Sequence, residues 1–242
     1  KVQSIDRVAL HVSPHPDDEI LGAGATLVLL RQHGWRILAL TCTLGREADH
    51  DRRRAELLEA TARVDFEPQV LEPLARLSSS DDLAAGRSHV AEAVASTVES
   101  TGASLVVSPH PHDGHHAHEA VGAAVAEALH GMTTQAPTWW QWGLWADLPK
   151  PTLYVPFSDE TLSRVKHSVA AYEGENARNS FDELYPARAT AARVLGSERV
   201  FGFGSASASD MPYADLLTEL QIVESRLMPC APRVMDPQHP LQ

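Results

Sequence analysis

The sequence predicts an α/β protein, a Rossmann-like layered fold with a mostly parallel sheet and its site at the carboxyl ends of the strands. Three observations carry this expectation. Short apolar runs of strand length alternate with stretches of helical periodicity, two of these runs pass straight into loops rich in His and Asp, and a helix follows each loop. A chain of 242 residues with 43% hydrophobic content can bury one full core. One domain over 1–242 is therefore expected, with a core at about 6–130, a pocket-forming part at 131–228 and a loose tail at 229–242.

Val8 to Val12 is largely apolar, which suits a buried parallel strand, and it runs into Ser13-Pro14-His15-Pro16-Asp17-Asp18-Glu19. The prolines flanking His15 forbid helix there, so the loop falls at the strand's C-terminal end, where open α/β sheets place their ligands. Ile20 to His33 reads as a helix ended by Gly34, and Arg36 to Thr43 as a second buried strand, completing a βαβ unit. A charged helix from about Asp51 to Arg63 comes next, then a short strand at Gln69 to Leu71, a polar loop through Ser78, Ser79, Ser80, Asp81 and Asp82, and a helix from His89 to about Ser100. Ala103 to Ser108 repeats the opening pattern: a buried strand, a loop from Pro109 to His118, and an alanine-rich helix from Ala120 to His130. Beyond Gly131 the pattern weakens. Trp139 to Trp145 and Thr152 to Val155 read as strands, Asp159 to Tyr172 and Glu183 to Leu195 as helices, Arg199 to Phe203 as a strand, and Tyr213 to Leu227 as a closing helix. The proline-rich stretch from Pro229 reads as loose.

Composition narrows the function. A net charge of -12 repels phosphate backbones, and apart from Arg52, Arg53 and Arg54 the basic residues form no stripe, so no nucleic-acid partner is expected. No stretch approaches the roughly 18 apolar residues of a membrane helix and no secretory signal precedes the first strand, so a cytoplasmic protein without stable membrane insertion is expected. Cys42 and Cys230 are the only cysteines and offer neither a disulfide framework nor a thiolate cluster. Any metal must rest on His and carboxylates. The 13 histidines are many for this length, and His11, His15, His110, His112, His115, His116 and His118 gather in or beside the two strand-end loops.

His15 and Asp18 stand three apart in a segment held by Pro16, so an imidazole nitrogen and a carboxylate oxygen can face one ion. A catalytic zinc site takes three protein ligands, and His115-His116-Ala117-His118 offers i and i+3 histidines for the third. Taken alone, Asp17-Asp18-Glu19 is equally a helix N-terminus with acidic residues near the orphan amides, and the second loop equally a run of solvated histidines. Their joint occurrence after two buried strands favours metal.

These residues resemble the LmbE/PIG-L superfamily of zinc-dependent N-deacetylases. The resemblance is carried by Pro14-His15-Pro16-Asp17-Asp18-Glu19 with Leu21-Gly22-Ala23-Gly24, by Leu38 to Glu47, by Arg53 to Ala60, and by Asp113-Gly114-His115 with His118 and Gly122. It implies zinc (Zn2+) held by His15, Asp18 and His118, Asp17 as general base, and His115 as electrophilic or acid partner. The chemistry agrees, because an amide carbonyl is a poor electrophile and one zinc ion can both polarise it and supply hydroxide at neutral pH. Many relatives carry a carboxylate where this chain has Ala117, so the orientation of His115 falls to another group, Asp113 or His116. The resemblance also places Arg46 at the mouth of the site, and a solvated loop arginine is the equal alternative. Four of the five tryptophans lie at Trp139, Trp140, Trp142 and Trp145; alternation pairs Trp140 with Trp142, leaving Trp139 and Trp145 as candidate substrate contacts, with plain core packing as the equal alternative. With the stretch Tyr172 to Arg178, this segment resembles the deacetylases of glycopeptide antibiotic biosynthesis. The expected substrate is then an N-acetylglucosaminyl group on a glycopeptide, with a small molecule such as N-acetylglucosaminyl-inositol, or a non-catalytic sugar-binding domain, as the other readings.

Overall fold

β1 (Val8–Ser13) is buried along its whole length, as an apolar strand at the centre of a parallel sheet must be. In the computed structural model, which describes residues 7–78, 80–132 and 136–242, the chain continues as α1 (Asp18–Leu21), α2 (Gly24–Gln32), β2 (Arg36–Thr41), α3 (His50–Val64), β3 (Glu67–Val70), α4 (Ser80–Thr101), β4 (Leu105–Pro109) and α5 (His116–Gly131). The second half supplies β5 (Thr138–Trp142), β6 (Leu153–Phe157), α6 (Asp159–Val169), α7 (Glu173–Asn179), α8 (Phe181–Phe201), β7 (Tyr213–Val223), β8 (Arg226–Pro229) and β9 (Arg233–Val234). Ser79, part of the expected polar loop, lies outside the described residues.

The fold is α/β, as expected. One nine-stranded sheet has the order β3-β2-β1-β4-β5-β7-β6-β9, with β8 paired to β7. From β3 to β5 every neighbouring pair is parallel, whereas β7 runs antiparallel to both β5 and β6. Strand alternation then sorts the core into two layers. Ala9, Leu105, Trp140 and Trp142 face α1, α2, α3, α6 and α8, while Val8, Leu10, Val106 and Trp139 face α4 and α5. Each Leu or Val so buried contributes about 1.5–3 kcal/mol relative to exposure. Among the described residues, no helix is long and apolar enough to cross a membrane.

Five expectations need correction. The helix after the first loop is broken at Gly22, where the Trp142 indole packs so close that a Cβ would sit 2.4 Å from the ring. α4 begins at Ser80, well before His89, so part of the polar loop is its opening turns. Arg199 to Phe201 are the last residues of α8, which ends at Gly202 in a positive-φ conformation, and Tyr213 to Leu227 form the β7–β8 hairpin in place of a closing helix. The tail is not loose: Arg233 and Val234 pair with β6, the Arg233 guanidinium binds Glu219 at 2.7 and 2.8 Å, and Met235 is buried.

Candidate active site

β1 and β4 are sheet neighbours whose following helices pack on opposite faces, which opens a crevice at their carboxyl ends. The loop after β1 and the loop after β4 meet there. Gly122 lets α5 close onto the second loop, since a Cβ would lie 2.7 Å from the Pro109 carbonyl oxygen. His15 Nδ1 stands 3.1 Å from Asp18 Oδ2 and His118 Nε2 stands 3.3 Å from Asp18 Oδ1. One donor atom from each of these three residues lies within 4.8 Å of the others, so the cluster could hold a metal ion.

The fit to a divalent cation rests on how His118 is held. Its Nδ1 faces Asp113 Oδ2 at 2.8 Å, which fixes the proton on that side and turns Nε2 toward Asp18. Asp113 is fixed in turn by amides of the loop after β5: its Oδ1 accepts from Leu144 at 2.7 Å and from Trp145 and Ala146 at 3.2 Å. Arg188 of α8 clamps that loop through the Gly143 and Leu144 carbonyls. Burial works against charge on His118, but Asp18 and Asp113 outweigh it and hold the imidazole up to about 10. Burial likewise disfavours an ionised Asp18, yet His118 and His15 keep it well below the usual carboxylate range. Two carboxylates thus flank one imidazole, a donor set whose chemistry fits a bound cation. Beneath it, Trp142 meets the His118 ring edge-on at 5.4 Å and donates its indole N–H to His11 Nε2 at 3.0 Å. Burial pushes His11 down to about 3, which keeps it neutral and able to accept.

Asp17 lies beside the cluster, nearly buried, and lines the cleft. It occupies the N-cap position of α1 without a capping hydrogen bond from its side chain, so helix capping does not account for its carboxylate. Burial, then the neighbouring Asp18 charge, pushes its pKa up, and Arg53 draws it back. Glu19, for which the sequence suggests only a place at the helix start, is wholly buried; it accepts the Asp17 amide at 3.1 Å and the Tyr172 hydroxyl. His115 is not oriented by Asp113, which is engaged with His118. It is held by stacking, with His116 at 4.6 Å and Trp145 at 5.9 Å, and its buried Nδ1 has no hydrogen-bond partner. Burial first, then His118 and His15, push its pKa down to about 4.

The cleft encloses about 520 Å³. Arg46, Arg52, Arg178 and Glu175 line it from two sides, with Trp145 and Phe181 as apolar surfaces. Arg46 is exposed and paired with Asp49 at 2.9 Å, which makes it a solvated loop arginine that also borders the cleft. The two candidate tryptophans part company. Trp145 is 54% exposed on the cleft, whereas Trp139 is 1% exposed, faces the α4–α5 layer and donates its indole N–H to Ser108 Oγ at 2.8 Å. Trp139 is therefore a core residue and is withdrawn as a substrate contact. Sequence reasoning also missed Arg53 and Glu175 as a buried pair at 3.1 Å, although each falls in a stretch that carried the resemblance.

Comparison with known proteins agrees with this geometry. Over 58 residues the chain is 43% identical to the 1D-myo-inositol 2-acetamido-2-deoxy-alpha-D-glucopyranoside deacetylase of Salinispora arenicola, a match spanning 24% of this chain and 19% of that protein. A teicoplanin deacetylase in its zinc-inhibited form superposes with a TM-score of 0.62 at 17% identity, covering 92% of this chain and 98% of its own. A 4-carboxy-2-hydroxymuconate hydratase from Pseudomonas putida superposes with a TM-score of 0.60 at 16% identity, covering 88% and 95%. At such identities these two likenesses are of fold alone, and the fold serves more than one chemistry. The family model described as PIG-L, GlcNAc-PI de-N-acetylase, matches residues 10–129, the stretch that bears His15, Asp17, Asp18, His115 and His118, so the chain carries a domain of that family.

Proposed function

We propose that this protein is a zinc-dependent hydrolase that removes the acetyl group from an N-acetylglucosaminyl unit, and that the unit is borne by a glycopeptide antibiotic intermediate. One observation carries the reading: a three-donor cluster, His15, Asp18 and His118, shares a cleft with a buried carboxylate free of capping duty, Asp17, and an imidazole, His115. Zinc held by the cluster supplies Lewis-acid polarisation of the amide and water activation at neutral pH. Asp17 takes the proton of the attacking water, and the low-dielectric wall around it raises its basicity. His115, neutral in this setting, meets the carbonyl oxygen through a ring N–H as negative charge develops there. The proton that Asp17 took from the water passes to the departing nitrogen, so that the C–N bond breaks to acetic acid, which ionises to acetate, and a neutral amine. Asp113 keeps His118 in its ligating tautomer.

The cleft suits a sugar. Its volume of about 520 Å³ admits an acetylated sugar but not a whole glycopeptide, whose bulk would lie across the mouth against Trp145 and Arg46. The small-substrate reading, N-acetylglucosaminyl-inositol, draws support from the 43% identity to the inositol-linked deacetylase over its short match. Acetate release over a panel of N-acetylglucosaminyl compounds, run beside elemental analysis, tests both. About one zinc per chain and zinc-dependent release from the glycopeptide are expected. Release from N-acetylglucosaminyl-inositol alone moves the substrate to the second reading, and undiminished turnover in a metal-free preparation overturns the chemistry.

A further inference from the structure

Asp17 has φ 104° and ψ -33°, a conformation that lies outside the common left-handed well and that a side-chain-bearing residue holds only when its surroundings impose it. On its carbonyl side the first turn of α1 supplies the restraint, through Ile20 at 3.1 Å and Leu21 at 2.9 Å. On its amide side the restraint is Glu19. One oxygen of that carboxylate accepts the Asp17 N–H at 3.1 Å, and the other accepts the hydroxyl of Tyr172, which is buried at the end of the segment after α6.

Glu19 is a costly residue to place there. It is fully buried next to two other carboxylates, and among the described residues no basic side chain pairs with it. Complementing a helix dipole needs only an exposed acid at the surface, so burial of Glu19 has another reason. We propose that Glu19 is a positioning residue: its carboxylate bridges the Asp17 amide and the Tyr172 hydroxyl and fixes the backbone angle that aims the Asp17 side chain into the cleft. Tyr172 thereby ties the second half of the chain to a base carried by the first. The inference rests on the reading of Asp17 as general base.

The test measures kcat, KM and zinc content for Glu19→Ala, Glu19→Gln, Tyr172→Phe and Asp17→Asn, with acetate release from N-acetylglucosamine as the assay and a crystal structure of Glu19→Ala. Glu19→Ala is expected to retain zinc and KM, to lose about 10²-fold in kcat, the scale of a small misplacement of a catalytic group, and to show Asp17 relaxed to negative φ. Glu19→Gln, whose carbonyl still accepts the Asp17 amide, should recover to within about tenfold of the parent, and Tyr172→Phe should lose about tenfold for one missing hydrogen bond. Parent-like kcat in Glu19→Ala, equal loss in the Ala and Gln variants, or loss of zinc would overturn the inference. If Glu19→Ala does not fold, the Gln and Tyr172→Phe variants decide, and parent-like kcat in Tyr172→Phe sinks it. Asp17→Asn separates the two levels: full turnover there removes the base and with it the inference, whereas an inactive Asp17→Asn beside an active Glu19→Ala removes the inference alone.

Discussion

In the first half of the chain the loops after β1 and β4 carry the chemistry, whereas in the second half the loop after β5 delivers backbone amides and the Trp145 indole, and β7 serves to close the sheet. His15, Asp17, Asp18, His115 and His118 all follow β1 or β4. The groups that hold them come from beyond β5: the amides of Leu144, Trp145 and Ala146 on Asp113, the hydroxyl of Tyr172 on Glu19, and the carboxylate of Glu175 on Arg53. Reactive groups and the jig that aims them are thus separated along the chain. A site built this way can keep its chemistry while its walls change, because the walls are not the ligands.

The largest effects should come from the first half. His118→Ala is expected to empty the metal site and bring acetate release to background, while Asp17→Asn keeps the metal and lowers kcat by about 10² to 10⁴. Elemental analysis beside kinetics distinguishes them. Retention of metal by His118→Ala, or its loss from Asp17→Asn, would exchange the two roles and blur the contrast between ligand and base.

The second half should answer first in stability. Trp139→Ala removes a core indole and is expected to cost about 3–5 kcal/mol in denaturant unfolding, with kcat of the folded fraction unchanged. A fall in kcat at undiminished stability would return Trp139 to the site. Asp113→Ala probes the seam between the halves: it leaves all three donors in place but frees the His118 ring, so metal affinity should drop about 10–100-fold, read by competition with a chelator. Unchanged affinity would mean that packing against Trp142 orients His118 without its carboxylate.

The same division explains what the sequence discloses. A parallel strand buried on both faces followed by a proline-bound acidic loop has a local signature, so β1, β2, β4 and the donor set were legible from Val8 to His118. β7 was not. It lies between β5 and β6 and meets three different surroundings, with Leu216 beside Tyr154, Leu217 in one main layer and Leu220 against the other, so its apolar residues mimic a helical period. Its turn gave no warning either, because Glu224 and Ser225 both take positive φ where hairpins usually place Asn or Gly. Tyr172 and Glu19 escaped for a third reason: their pairing spans 153 residues, and long-range pairing of polar groups leaves no periodic trace.

The smallest expected effect bears on what the second half does for the substrate. Trp145 sits at the cleft with half its surface open and its ring nearly parallel to His115, at an interplanar angle of 26°. One face is therefore taken by the site and the other is offered outward. A small acetylated sugar held inside the cleft gains little from that outer face, but an aromatic aglycone lying across the mouth can stack on it. Such a contact is worth about 0.5–1.5 kcal/mol beyond area, up to roughly tenfold in binding. Trp145→Ala should then raise KM for the glycopeptide by about that factor, leave kcat nearly unchanged, and barely alter KM for N-acetylglucosamine. Steady-state kinetics on both substrates read the difference. An equal rise on both would assign Trp145 to the sugar itself, and a fall in kcat on both would assign it to the seating of His115, in which case the second half aims that N–H donor as well as the base and the aglycone has no recognised contact in the cleft.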